Sequence, residues 1–246
     1  MKTKKWLLWF ALFMAAFSLG NVLWEIVPHR WLRVFTSTSF FVFAIKILGP
    51  KKPWGLLIFI SLVLCDIFLL KWESSFAKYA YYGLHGFIML SLILLTVKGM
   101  EWKRISSFEI ISVLVFLLFC SIIFFSLKEF FNIENVLLKI LFNINGLFVV
   151  LLVVLSFFNS INDSKLLASS FFLGILGLIF SELIMFMIYF LEVKQFRYID
   201  NFFYVFGLFF ILKVSLENRL MQQIIADKRE KEKKEKIPHP ERKIYR

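Results

Sequence analysis

An all-α, polytopic membrane bundle of about eight transmembrane helices is the fold class this sequence predicts, on three observations. Of its 246 residues, 60% are hydrophobic and 19% aromatic, with a mean hydropathy of +0.78, whereas soluble domains hold about 45–50% apolar residues. The apolar residues come in continuous runs of roughly 17–25, the length of a helix that crosses a bilayer. They do not alternate over stretches of about ten, as the strands of a membrane barrel must.

The first run, 6–27, follows the basic start Met1-Lys2-Thr3-Lys4-Lys5. It resembles a signal peptide, with Ala16-Phe17-Ser18 passing for a cleavage motif, but the apolar residues resume at Val22-Leu23-Trp24 and reach Val27, long enough to span. The second run, 33–48, is interrupted by Thr36-Ser37-Thr38-Ser39, and only about sixteen residues separate its flanking charges. Seven helices are therefore an alternative to eight. Runs 53–70, 77–97, 108–127, 136–158, 166–191 and 199–216 follow. The 33 Phe are expected to face lipid or fill gaps between helices. Cys65 and Cys120 both fall inside runs, so they define neither a disulfide framework nor a metal site.

Residues 1–217 thus form a transmembrane domain and 218–246 a basic cytoplasmic tail, helical at first and then disordered. Leu216, Leu220 and Ile224 keep helical spacing past the last run, and Glu230–Lys234 and Glu232–Lys236 are i,i+4 pairs in the favoured order. Pro238 and Pro240 end that helix. With eight runs the loop charges nearly balance, and the cluster from Lys228 to Lys236 decides for cytoplasmic N- and C-termini in the cell membrane. The net charge of +12 is explained by anionic lipid head groups, at about 1 kcal/mol per basic residue near the surface. Nucleic acid is not called for.

Charges inside a span are costly and mark function. Lys46 and Lys213 lie near the inner ends of their runs and are expected to snorkel. The other polar residues fall at one depth. Asp66 is four residues before the outer end of the third run, Glu182 nine before that of the seventh, and His85 eight in from the outer start of the fourth. Asn21, Glu25, Ser121, Asn143, Asn145, Asn201 and Tyr204 occupy the same half of the membrane. Interhelical polar glue would give scattered residues in both halves, so one-sidedness points to a shared polar cavity.

These residues also carry a family resemblance. Cys65-Asp66-Ile67-Phe68-Leu69 looks like the "GD-apolar-apolar-L" signature of the lysoplasmalogenase (YhhN-like) family. Tyr82-Gly83-Leu84-His85-Gly86-Phe87 resembles its "G-L-x-x-F" segment, and the stretch from Gly174 to Ser181-Glu182 its "G-A-x-x-F-x-x-S-D". The order, spacing and eight-helix plan agree over residues 5–217. Several features depart: Cys65 stands for the family's Gly, Glu182 for its second Asp and Thr36–Ser39 for its Lys-Pro, the family's fourth-span His and Tyr fall near Ser91 and Leu94, and His85 occupies a position where the family does not usually have a His.

The resemblance implies hydrolysis of the vinyl-ether bond of a lysophospholipid, a lysoplasmalogen. That chemistry needs a proton for the vinyl carbon, stabilisation of an oxocarbenium-like cation and an activated water, roles that two carboxyls can divide as they do in glycosidases. Glu182, the deeper in the membrane, is expected to donate the proton, Asp66 to stay ionised and His85 to relay. The scheme requires no cofactor and no metal. Two other classes remain open: a non-enzymatic sensor or scaffold that docks a partner through its final helix, and a transporter, against which stand the scarcity of Gly/Pro breaks and the off-centre acids.

Overall fold

The computed structural model describes residues 2–24, 28–49, 53–100, 106–130, 135–162, 166–190 and 193–235. Among them the chain forms eight α-helices and one short 3-10 turn. These are α1 (Lys2–Trp24), α2 (His29–Leu48), α3 (Pro53–Leu70), α4 (Ser75–Gly99), α5 (Ser107–Phe130), α6 (Val136–Asn162), α7 (Leu166–Phe190), the turn Lys194–Phe196, and α8 (Arg197–Glu235). Six of them, α2 and α4 to α8, carry segments long and apolar enough to cross a membrane. The apolar parts of α1 and α3, Lys5–Asn21 and Trp54–Leu70, are shorter. This is the architecture of a multi-pass helical membrane bundle.

Local chemistry sets several boundaries. Gly49, with φ +63°, ends α2 in the left-handed conformation that glycine adopts without strain, and its N–H donates to Ile45 O. Pro53 opens α3, where a missing N–H costs nothing. Ser106 and Glu109 form a reciprocal capping box at α5, at 3.2 and 2.7 Å. Asn135 Oδ1 caps α6 by accepting from Leu138 N–H.

The helices close into a ring in the order α2, α3, α4, α6, α7 and α8, with α8 returning to α2. Helix α1 packs outside on α8, and α5 packs chiefly on α6. The outer surface is apolar: Trp9, Phe13, Trp54, Val115 and Phe119 are all exposed, as lipid-facing residues are. Two expected boundaries change. Helix α2 begins at His29, a full turn before Arg33, and α8 begins at Arg197 and runs 39 residues. Pro238 and Pro240, expected to end the last helix, and Glu25, expected in the polar layer, lie outside the described residues.

Helices α7 and α8 meet through glycines. A Cβ on Gly207 would lie 2.7 Å from Leu178 N, and one on Gly177 2.9 Å from Gly207 Cα. Small residues let backbones approach this closely in membranes. Gly207→Ala should therefore cost about 1–3 kcal/mol as the helices are forced apart. The readout is the thermal midpoint of purified protein in nanodiscs. Gly83→Ala, which meets nothing within 4 Å, should leave it unchanged.

Candidate functional site

The centre of the ring is ionic. Arg33 of α2 is 1% exposed, and its guanidinium reaches three carboxyls on three other helices. Nε is 3.3 Å from Asp66 Oδ1 of α3, Nη2 2.9 Å from Glu182 Oε1 of α7, and Nη1 3.0 Å from Asp200 Oδ1 of α8. Nη1 also donates to Ser181 Oγ at 3.0 Å. Its other face lies over the Tyr204 ring, 4.2 Å from the centroid, a cation–π contact. A planar fork of five donors suits this divergent set; a lysine ammonium would not span it.

Hydroxyls complete the carboxyls. Tyr204 donates to Asp66 Oδ2, Tyr81 of α4 to Glu182 Oε2, and Ser181 to Asp200 Oδ1, each at 2.5 Å. His29 Nε2 lies 2.8 Å from Asp200 Oδ2. Isolated buried charges cost several kcal/mol each, and pairing with good geometry offsets much of that. One guanidinium thus serves three carboxyls, with His29 beside the third.

An apolar cavity of about 370 Å³ adjoins this cluster, walled by α3 to α7. Its polar end carries Glu182, Tyr81, Tyr82, His85 and Asn145; its far end carries Met89, Phe116, Val153 and Leu176. Between them it extends along α6 from Asn145 to Val153, about 12 Å at the helical rise. Phe119 and Phe180 line it and are 58% and 44% exposed, and α5 packs chiefly on α6. The cavity therefore meets the lipid-facing side along α5 and α7.

The predicted residues divide. Asp66 and Glu182 grip the same guanidinium, but only Glu182 lines the cavity. The expected order of burial is reversed: the Asp66 side chain is 2% exposed and that of Glu182 26%. Depth along the membrane is not depth within the bundle, and α3 faces the ring's centre at Asp66. His85 sits on the cavity wall, stacked on the Tyr81 ring at 5.8 Å and 14°. Its Nδ1 is 3.0 Å from Asn145 Oδ1. Asn145 Nδ2 donates to the carbonyls of Tyr82 and Leu141, which fixes Oδ1 as the acceptor and makes His85 Nδ1 the donor. No hydrogen bond to Asp66 or Glu182 is described for His85, so a direct relay between them is not its geometry. Asn143 is spent on its own helix, donating to Lys139 O. Lys213, expected to snorkel, donates to Ser170 Oγ at 3.2 Å.

Arg33, Asp200, His29 and Tyr81 were not singled out by sequence. Arg33 reads as the charge at the outer edge of the second run, yet the shortness of that run was the available signal: starting the helix at His29 gives 20 residues. No family model, no curated protein and no solved structure matches the chain.

Proposed function

We propose that this protein is an intramembrane hydrolase of single-chain lipids that cleaves the vinyl-ether bond of a lysophospholipid, with Glu182 as the proton donor. One observation carries the reading: a carboxyl held between Arg33 and Tyr81 forms the polar end of an apolar cavity that meets the lipid-facing surface. The resemblance of the Asp66, His85 and Glu182 segments to lysoplasmalogenases supports the same reaction.

In the proposed step the Glu182 carboxyl gives its proton to the outer vinyl carbon, and the C=C π electrons form the new C–H bond. The ether oxygen shares the resulting cation. Water adds to the oxocarbenium carbon and returns a proton to the Glu182 carboxylate, giving a hemiacetal that collapses to a fatty aldehyde and the glycerophospho-alcohol. Tyr81 suits both states of Glu182, because a hydroxyl donates to a carboxylate and accepts from a carboxylic acid. Arg33 and Asp66 are positioning residues: Asp66 is committed to Arg33 and Tyr204 and holds the guanidinium that orients Glu182. We place the protein in the cell membrane with eight spans and cytoplasmic termini, its basic tail on anionic lipid head groups. Purified protein in nanodiscs should release aldehyde from a lysoplasmalogen but nothing from its ester or alkyl-ether analogues. Equal release from the ester would show a different chemistry.

The second reading, a sensor, is favoured by α8, which carries Asp200 and Tyr204 at the site and runs without interruption to Glu235. Truncation after Arg219 separates the two. The hydrolase should keep its aldehyde release within about twofold, because a helix end beyond the last apolar run contributes little to a remote site. A sensor would lose its output.

A further inference from the structure

At and just beyond the apolar end of the cavity, three helices contribute a cluster of rings. Phe116 of α5 lines that end. Its ring centroid lies 4.3 Å from that of Phe157 and 6.2 Å from that of Phe172, which are 5.5 Å from each other. Phe157 follows Val153 on α6 by four residues, and Phe172 precedes Leu176 on α7 by four. Phe157 and Phe172 thus each sit about one helical turn beyond the last cavity-lining residue of their helix. The polar end, by contrast, is bounded by Glu182, Tyr81 and His85. The cavity has a polar end and an apolar shaft, with an aromatic cluster at its far end.

We infer that this cluster is a chain-length ruler: the cavity takes one unbranched acyl or alkyl chain, methyl end against Phe116, Phe157 and Phe172, and sets the longest chain admitted. A shaft of about 12 Å accommodates about nine carbons in extended form, given the advance of a zigzag chain of C–C bonds. Up to that length a tail leaves one apolar medium, the bilayer, for another, so added methylenes change occupancy little. Beyond it each must displace packed rings, which interiors resist. The inference rests on the lipid reading of the cavity but not on hydrolysis.

The test is binding of ester-linked, saturated lysophosphatidylcholines of graded chain length to the full-length protein in nanodiscs, each at the same mole fraction of the disc bilayer. Occupancy should stay level with increasing length and then fall about tenfold or more past a limit. Phe116→Ala and Phe157→Ala should each move that limit to longer chains by about two to four carbons, the space of a ring. Phe13→Ala, exposed on α1, should leave it in place. Val153→Phe fills the shaft one turn before the cluster and should move the limit to shorter chains, which keeps the test decisive if a ring-deleted variant fails to fold. A wild-type profile without a limit, or a limit that none of these changes moves, overturns the ruler. A movable limit without aldehyde release keeps the ruler and removes the hydrolase; aldehyde release with an immovable limit does the reverse.

Discussion

Arg33→Ala is expected to leave little or no folded protein. Removing one partner of a buried ion pair costs about 3–5 kcal/mol, because the other charge stays buried and uncompensated. Here three carboxyls on α3, α7 and α8 lose the same guanidinium, and whole domains are stable by only about 5–15 kcal/mol. Arg33→Lys keeps the charge but not the fork, so it should recover part of the loss. The sharper test is rescue. Combining Arg33→Met with Asp66→Asn and Asp200→Asn removes the two fully buried carboxylates together with the guanidinium and leaves only the partly exposed Glu182, so it should restore a monodisperse peak in fluorescence-detected gel filtration of detergent-solubilised protein. If Arg33→Ala alone gives wild-type yield and thermal midpoint, the ionic centre does not hold the ring together.

Glu182→Gln should behave in the opposite way, folding normally and losing chemistry. The amide is isosteric, and its oxygen can still accept from Arg33 Nη2 while its nitrogen donates to the Tyr81 hydroxyl. What it lacks is a transferable proton, and a positioned general acid contributes about 10²–10⁴-fold. Aldehyde release should fall by that factor with a thermal midpoint within a few degrees of wild type. Asp66→Asn should do the reverse in emphasis. Its oxygens are committed to Arg33 and Tyr204, so it should lose stability first, and activity only through the misplaced guanidinium.

The helices were legible because an apolar run in lipid has no other way to satisfy its backbone. The alignment of Asp66, Glu182 and Tyr204 at one depth was legible too, since counting at a fixed rise needs no tertiary information. Arg33 was not. Hydropathy penalises arginine wherever it stands, and the three carboxyls that neutralise it come from positions 66, 182 and 200, brought together only by closure of the ring. The same closure reversed the expected burial of the two acids, and it turned Asp200 from a residue at the edge of the last run into a fully buried partner of Arg33 and His29. Tyr81 carried a weaker signal. It lies four residues before His85, on the same helical face, and its ring is stacked on the histidine that the sequence did single out.

The central claim is that the Glu182 carboxyl delivers a proton to carbon, and the isotope content of the product reports on it most directly. With lysoplasmalogen turned over in deuterium oxide and the aldehyde trapped as it forms, the account predicts one deuterium on the carbon next to the carbonyl, with release reduced in Glu182→Gln as above. Aldehyde carrying no deuterium at that carbon, or released equally well by Glu182→Gln and Asp66→Asn, would contradict it.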